Sequence, residues 1–131
     1  MNLIREHMKI LVGIDGSDHS MLALKEAMIL AKKFDGTITI VTVYAKENEY
    51  EFDRIRKDVY LLLEGTTIDH NYRSLQGSNP GRALIDMSKK EKIDLVVVGN
   101  RGLGKTASFL MGSVSMDVAS KTRCDVLVVK Q

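Results

Sequence analysis

One cysteine, one proline and no tryptophan occur among the 131 residues of this chain. The lone thiol, Cys124, has no partner for an internal disulfide, so a reducing compartment, the cytoplasm, is the expected location. Four tyrosines and three phenylalanines are too few to form a stacking platform for bases. The net charge is only +2 and the basic residues are scattered, which argues against a dedicated nucleic-acid binder. No apolar stretch approaches the ~20 residues that span a bilayer, and the first residues lack the apolar core of a secretory signal. No linker, repeat or low-complexity segment interrupts the pattern.

What remains is close to an average globular composition, with 44% hydrophobic and 27% charged residues. The length suits one domain. Residues 1–7 contribute no pattern and are read as an extension ahead of a native start at Met8. Lys9 to Asp15 is apolar almost without a break, as expected of a strand covered on both faces. Gly16-Ser17 then supplies a turn and an N-cap. Leu24, Ala27, Met28 and Ala31 form one helical face, and Gly36 is expected to end that helix as its C-cap. Thr37 to Tyr44 is a β-branched strand. Glu47, Glu49, Glu51 and Asp53 suit the first turn of a second helix, whose buried stripe is Phe52, Ile55, Val59 and Leu62. Ile68 to Leu75 is polar enough to belong at a sheet edge. Asn79-Pro80 opens a third helix, ending near Glu91. Asp94 to Val98 is a buried strand, Ser113 to Lys121 a fourth helix and Val126 to Val129 a closing strand.

Five strands alternating with four helices specify an α/β domain, an open five-stranded parallel sheet with helices on both faces, Rossmann-like. The expected strand order is 3-2-1-4-5. In such sheets ligands bind beyond the carboxyl ends of the strands, where the order reverses. That point falls between Asp15-Gly16, after the first strand, and Gly99, after the fourth.

The segment after the fourth strand fits two phosphate-binding patterns. Gly99, Gly104, Lys105 and Thr106 satisfy G-x-x-x-x-G-K-[ST], a P-loop. Gly99, Gly102, Gly112 and Ser113 satisfy G-x2-G-x9-G-[ST]. Either arises by chance about once in a few hundred chains, so context decides. A P-loop usually follows an early strand and needs a later strand to deliver a Mg²⁺-binding aspartate. Asp125 begins the last strand instead of ending it, and Gly112 interrupts any helix opened by Lys105 and Thr106. The P-loop ATPase or kinase is the minor alternative, although Lys105 remains placed to touch a phosphate.

The second pattern resembles the nucleotide loop of the ATP-binding universal stress proteins. Ile10-Leu-Val-Gly-Ile-Asp-Gly-Ser17 is similar to that family's opening strand and turn. Asp94-Leu-Val-Val-Val-Gly-Asn-Arg-Gly102 resembles its fourth strand and loop, and Gly112-Ser-Val-Ser115 and Val126-Leu-Val-Val129 its final helix start and strand. The likeness runs in order from about Lys9 to Lys130. It implies a regulatory or stress-response protein that binds ATP, with Mg²⁺, and hydrolyses it slowly or not at all. No histidine or glutamate lies near the loop in sequence to activate water. A nucleotide-free dimeric interaction module of the same family is the alternative.

The implied site is assembled residue by residue. Gly99 and Gly102 let the backbone approach sugar and phosphates; a tight turn is the plainer reading. Gly112, Ser113, Val114 and Ser115 open the last helix, whose N-terminus attracts phosphate, with Ser113 and Ser115 as hydroxyl donors; simple capping by Ser113 is compatible with this. On the resemblance, Asp15 binds the adenine–ribose part or a metal on the phosphates; otherwise it is a solvated turn carboxylate. Gly13, Val41 and Val98 line the base pocket on the resemblance and are sheet core by pattern alone. Arg101 stands open between phosphate and solvent. His7, His19 and His70 lack metal-ligand spacing and read as surface residues. Cys124 reads as a filler beside the last strand. The resemblance also implies a homodimer through the last strand, where Asp125 replaces a proline common in the family, and the Ala45–Asp53 segment is short for it.

Overall fold

The computed structural model describes residues 7–45, 49–100 and 112–130. Arg101, Gly102, Gly104, Lys105 and Thr106 lie outside them. In chain order the elements are β1 (Lys9–Gly13), α1 (Asp18–Phe34), β2 (Thr37–Tyr44), α2 (Glu49–Leu63) and β3 (Asp69–Gln76). They continue with α3 (Pro80–Lys90), β4 (Leu95–Gly99), α4 (Ser113–Lys121) and β5 (Asp125–Val129). The five strands form one sheet in the order β3-β2-β1-β4-β5, as the alternation predicts. Every pairing is parallel.

β1 sits at the centre because it is apolar on both faces. Ile10, Val12 and Ile14 point into one core with Leu24 and Ala27 of α1 and Ile55 and Val59 of α2. Leu11 points into a second core with Val41, Val96 and Val98, covered by Leu84 of α3 and Val118 of α4. The helices before β3 and those after it therefore lie on opposite faces. Right-handed crossovers require this when the chain fills one side of β1 and then returns to fill the other. β3 is an edge strand with only Tyr72 partly sheltered. Burial pushes the Tyr72 phenol up; its hydroxyl donates to Thr42 Oγ1 at 2.8 Å.

The caps divide between confirmation and correction. Ser17 caps α1, accepting from the Ser20 N–H, and Asn79 caps α3 ahead of Pro80. The end of α1 differs from expectation: Asp35 takes the left-handed position, with φ 55°, and Gly36 follows it. Glycine is needed at 36 for another reason. A Cβ there would lie 2.7 Å from the Met8 carbonyl oxygen, since Thr37 N–H donates to that same oxygen and draws the chain close. The fourth helix starts at Ser113, but its N-cap is Gly112 and no side chain caps it. Capping by Ser113 is therefore not what is observed. The His7 N–H donates to the Phe34 carbonyl, although its side chain is exposed, and Met8 is fully buried.

Gly36→Ala is expected to destabilise the protein by about 1–3 kcal/mol through this overpacking. Asp35→Gly, at the residue with positive φ, should leave stability unchanged or raise it. Urea midpoints at constant slope would separate the two; equal losses at both positions would refute the assignment.

Candidate functional site

A cleft of about 360 Å³ opens at the carboxyl ends of β1 and β4, on the face covered by α3 and α4. That volume lies within the ~300–1,000 Å³ of small-molecule sites. The cleft lies where the chain leaves the two central strands toward opposite faces of the sheet, into α1 after β1 and toward α4 after β4. Its floor is apolar: Val41 and Val43 of β2, Val98 of β4 and Leu84 of α3. Gly13 completes the floor and lies against Leu84, since a Cβ at 13 would be 2.7 Å from Leu84 Cδ1. One wall is the β1–α1 turn with Asp15 and Ser20; the other is Gly112 to Ser115 at the start of α4.

The structure thus brings Gly13, Asp15, Val41, Val98, Gly99, Gly112, Ser113, Val114 and Ser115 to one cleft. Arg101 and Gly102 fall outside the described residues. Ile14, Ser20, Val43, Pro80 and Leu84 join them without having been singled out. Val43 was findable, because it shares a strand face with Val41. Pro80 and Leu84 were not, since α3 reaches the cleft only through a crossover over the back of the sheet.

The polar groups of the β1–α1 turn are tightly coupled. Asp15 Oδ1 accepts from the Ser17 N–H at 2.9 Å and from the Ser17 hydroxyl. The Asp15 N–H donates to Ser20 Oγ at 3.2 Å, and the Ser20 hydroxyl donates to the Ser17 carbonyl. Ser17 and Ser20 are both buried. Asp15 is therefore a built-in member of the turn and more than a solvated carboxylate. It is also the only charged side chain among the described residues lining the cleft.

Gly99 has a packing reason that the sequence did not reveal. A Cβ there would lie 2.6 Å from the His19 carbonyl carbon and 2.7 Å from its oxygen. The first turn of α1 presses directly on the end of β4. His19 is consequently half-buried, and its enclosed Nδ1 lacks a partner among the described residues, unlike the exposed His7 and His70. Asn100, next to Gly99 in the chain, is also buried, and its Oδ1 lacks a partner among the described residues. Among the described residues no cluster of three metal-ligating side chains occurs. Cys124 packs against the α3–α4 core, away from the cleft, and burial pushes its thiol up. That agrees with a filler, since a raised thiol is less ionised and less nucleophilic.

The amino end of α4 is the most polarised part of the cleft. Gly112 N–H donates to the Asn100 carbonyl, while none of the N–H groups of Ser113, Val114 and Ser115 has a partner among the described residues. Three such groups on one helix end attract an anion. A sequence model of the universal stress protein family matches residues 6–69 and 53–130 of this chain. The chain belongs to the universal stress protein family.

A universal stress protein of Mycobacterium tuberculosis strain H37Rv is 32% identical to it over 139 positions, covering 92% of this chain and 94% of the relative. Among solved structures, a universal stress protein crystallised in complex with cAMP is 33% identical, with a TM-score of 0.77 and 95% and 98% of the two chains covered. A universal stress protein family member from Arabidopsis thaliana with AMP bound shares the fold at 18% identity and a TM-score of 0.70, over 95% and 92%. No helix among the described residues of this universal stress protein is long and apolar enough to cross a membrane.

Gly99→Ala is expected to lower the melting temperature by about 8 °C, from roughly 2 kcal/mol of overpacking against His19. The measurement is made on nucleotide-stripped protein. An unchanged melting temperature would mean that glycine at 99 serves only an incoming ligand.

Proposed function

We propose that this universal stress protein is a regulatory nucleotide-binding protein whose cleft holds ATP with Mg²⁺, and that it hydrolyses ATP slowly or not at all. The observation that carries this reading is the convergence, at the strand-order reversal, of an apolar floor with the uncapped amino end of α4. The floor of Val41, Val98 and Leu84 suits a purine ring. The N–H groups of α4, with the exposed hydroxyl of Ser113, suit its phosphates.

The charge of a triphosphate needs more than a helix end. Asp15, positioned by Ser17, fits Mg²⁺, which commonly takes one or two carboxylates together with phosphate oxygens and water. Arg101 and Lys105 are the cations available from residues 101–111. Mg²⁺ would neutralise phosphate charge; Asp15 would orient it from the β1 side while α4 holds the phosphates from the other. A general base is missing from this account: the cleft's one described carboxylate, Asp15, already accepts two hydrogen bonds from Ser17. That arrangement favours binding over turnover. Pairing of β5 with a second copy fits its place at a sheet edge, and a cytoplasmic setting fits the single thiol.

Cyclic AMP is a second reading, favoured by the 33% identical relative crystallised with it. The experiment is to denature purified protein, identify any released nucleotide by chromatography, and titrate stripped protein with Mg-ATP, AMP and cAMP. ATP at 100 times its dissociation constant should stabilise the fold by roughly 2.7 kcal/mol. Ser113→Ala should weaken ATP about tenfold, the scale of a hydrogen bond to a charged group, with turnover remaining slow. Preference for cAMP would select the second reading. Rapid turnover abolished by Lys105→Ala would select a P-loop enzyme. No binding at millimolar nucleotide would leave the nucleotide-free dimeric module.

A further inference from the structure

We infer that Ser115 is a positioning residue: its hydroxyl locks the start of α4 to the end of β4 and is thereby withdrawn from direct donation to phosphate. The inference deepens the nucleotide-binding reading and rests on it only for its consequence, not for its geometry.

Ser115 borders the cleft, yet it is only 2% exposed. Its Oγ lies 2.9 Å from the Asn100 carbonyl oxygen and 3.0 Å from the Gly112 carbonyl oxygen. Both neighbours are acceptors, and a serine hydroxyl has one proton. That proton is shared between them. A phosphate oxygen is a third acceptor, and it could take the proton only by breaking this contact inside a buried site. There the abandoned carbonyls would carry a desolvation penalty. The hydroxyl that sequence reasoning paired with Ser113 as a donor is thus already committed. Ser113, by contrast, is exposed, and its hydroxyl has no partner among the described residues.

The bond to Gly112 alone would be an ordinary local contact of a serine in a first helical turn. The bond to Asn100 is not local. It spans fifteen residues and converges with a second bond on the same oxygen, since the Gly112 N–H also donates to the Asn100 carbonyl, at 2.7 Å. The Asn100 N–H donates in turn to the Val129 carbonyl at 2.8 Å. The backbone of one residue after β4 therefore ties together the end of β5, the cap of α4 and the Ser115 side chain. The lock fixes where the N–H groups of Ser113 and Val114 stand relative to Gly13 and Asp15 across the cleft. A positioning role of this kind acts before any ligand arrives.

The experiment compares Ser115→Ala, Ser115→Thr and Ser113→Ala with the parent chain, by amide hydrogen exchange of the ligand-free protein and by titration with adenosine, AMP and Mg-ATP. Ser115→Ala should speed exchange at the Gly112 N–H by roughly fivefold, the scale of one lost hydrogen bond. Exchange in β1 should stay unchanged. Ser115→Thr, which keeps the hydroxyl, should restore the parent rate. Ser113→Ala should leave Gly112 exchange untouched while weakening ATP and AMP relative to adenosine. Unchanged Gly112 exchange in Ser115→Ala, coupled with a phosphate-selective loss of affinity, would overturn the proposal in favour of direct contact. Should Ser115→Ala not fold, Ser115→Thr decides: parent-like exchange supports the lock, and accelerated exchange overturns it. Faster exchange in a protein that binds no nucleotide would keep the lock and remove the nucleotide reading.

Discussion

β1 accepts a parallel partner along each of its edges, and every other element takes its place from that double pairing. Ile10, Leu11 and Val12 are each bonded in register to both β2 and β4, and each is almost wholly buried. A strand apolar on both faces has no stable position except between two helical layers. Once it is central, the chain must fill one side and then the other, and the hand of the crossovers sends α1 and α2 to one face and α3 and α4 to the opposite one. The opening at the strand ends is a geometric by-product of this order. The cleft therefore needs no local device to create it; the residues around it only decide what it suits.

Those residues are held before any ligand is considered. On one side Asp15, Ser17 and Ser20 satisfy one another within the turn; on the other, Asn100 joins β5 to α4. Among the described residues, neither wall relies on a long flexible side chain. Polar groups that are already ordered lose little further entropy when a ligand arrives, which is how a small site of few contacts can still be selective. At Gly99 the backbone of His19 comes so close to the sheet that no Cβ fits between them.

The sheet and its order were legible because they rest on strong local signals. Unbroken apolar runs at Lys9–Asp15 and Asp94–Val98 marked central strands, and the polar Ile68–Leu75 run marked an edge. What escaped depended on contacts between segments remote in sequence. Gly36 reads as a helix terminator, but the pressure on it comes from Met8. Gly99 reads as a ligand glycine, but His19 stands behind it. His19 reads as a surface residue, and nothing within α1 announces that β4 lies against it. Ser115 reads as a phosphate donor because spacing shows where a hydroxyl falls along the chain and is silent on which carbonyl has engaged it. Of the pattern Gly99, Gly102, Gly112 and Ser113, the three described residues line one cleft; the contacts of individual groups within it required the packing.

The two borders of the sheet are chemically unlike. A parallel sheet open on both sides could in principle recruit copies without end, each adding to the exposed border of the last. Along β3, Asp69, His70, Asn71, Arg73 and Ser74 face water, so a newcomer there would have to strip hydration from ions. Along β5 the one acidic residue, Asp125, is followed by Val126, Leu127, Val128 and Val129. The polarity of β3 thus guards that border against edge-to-edge addition, a protection written into the strand that contributes least to the core.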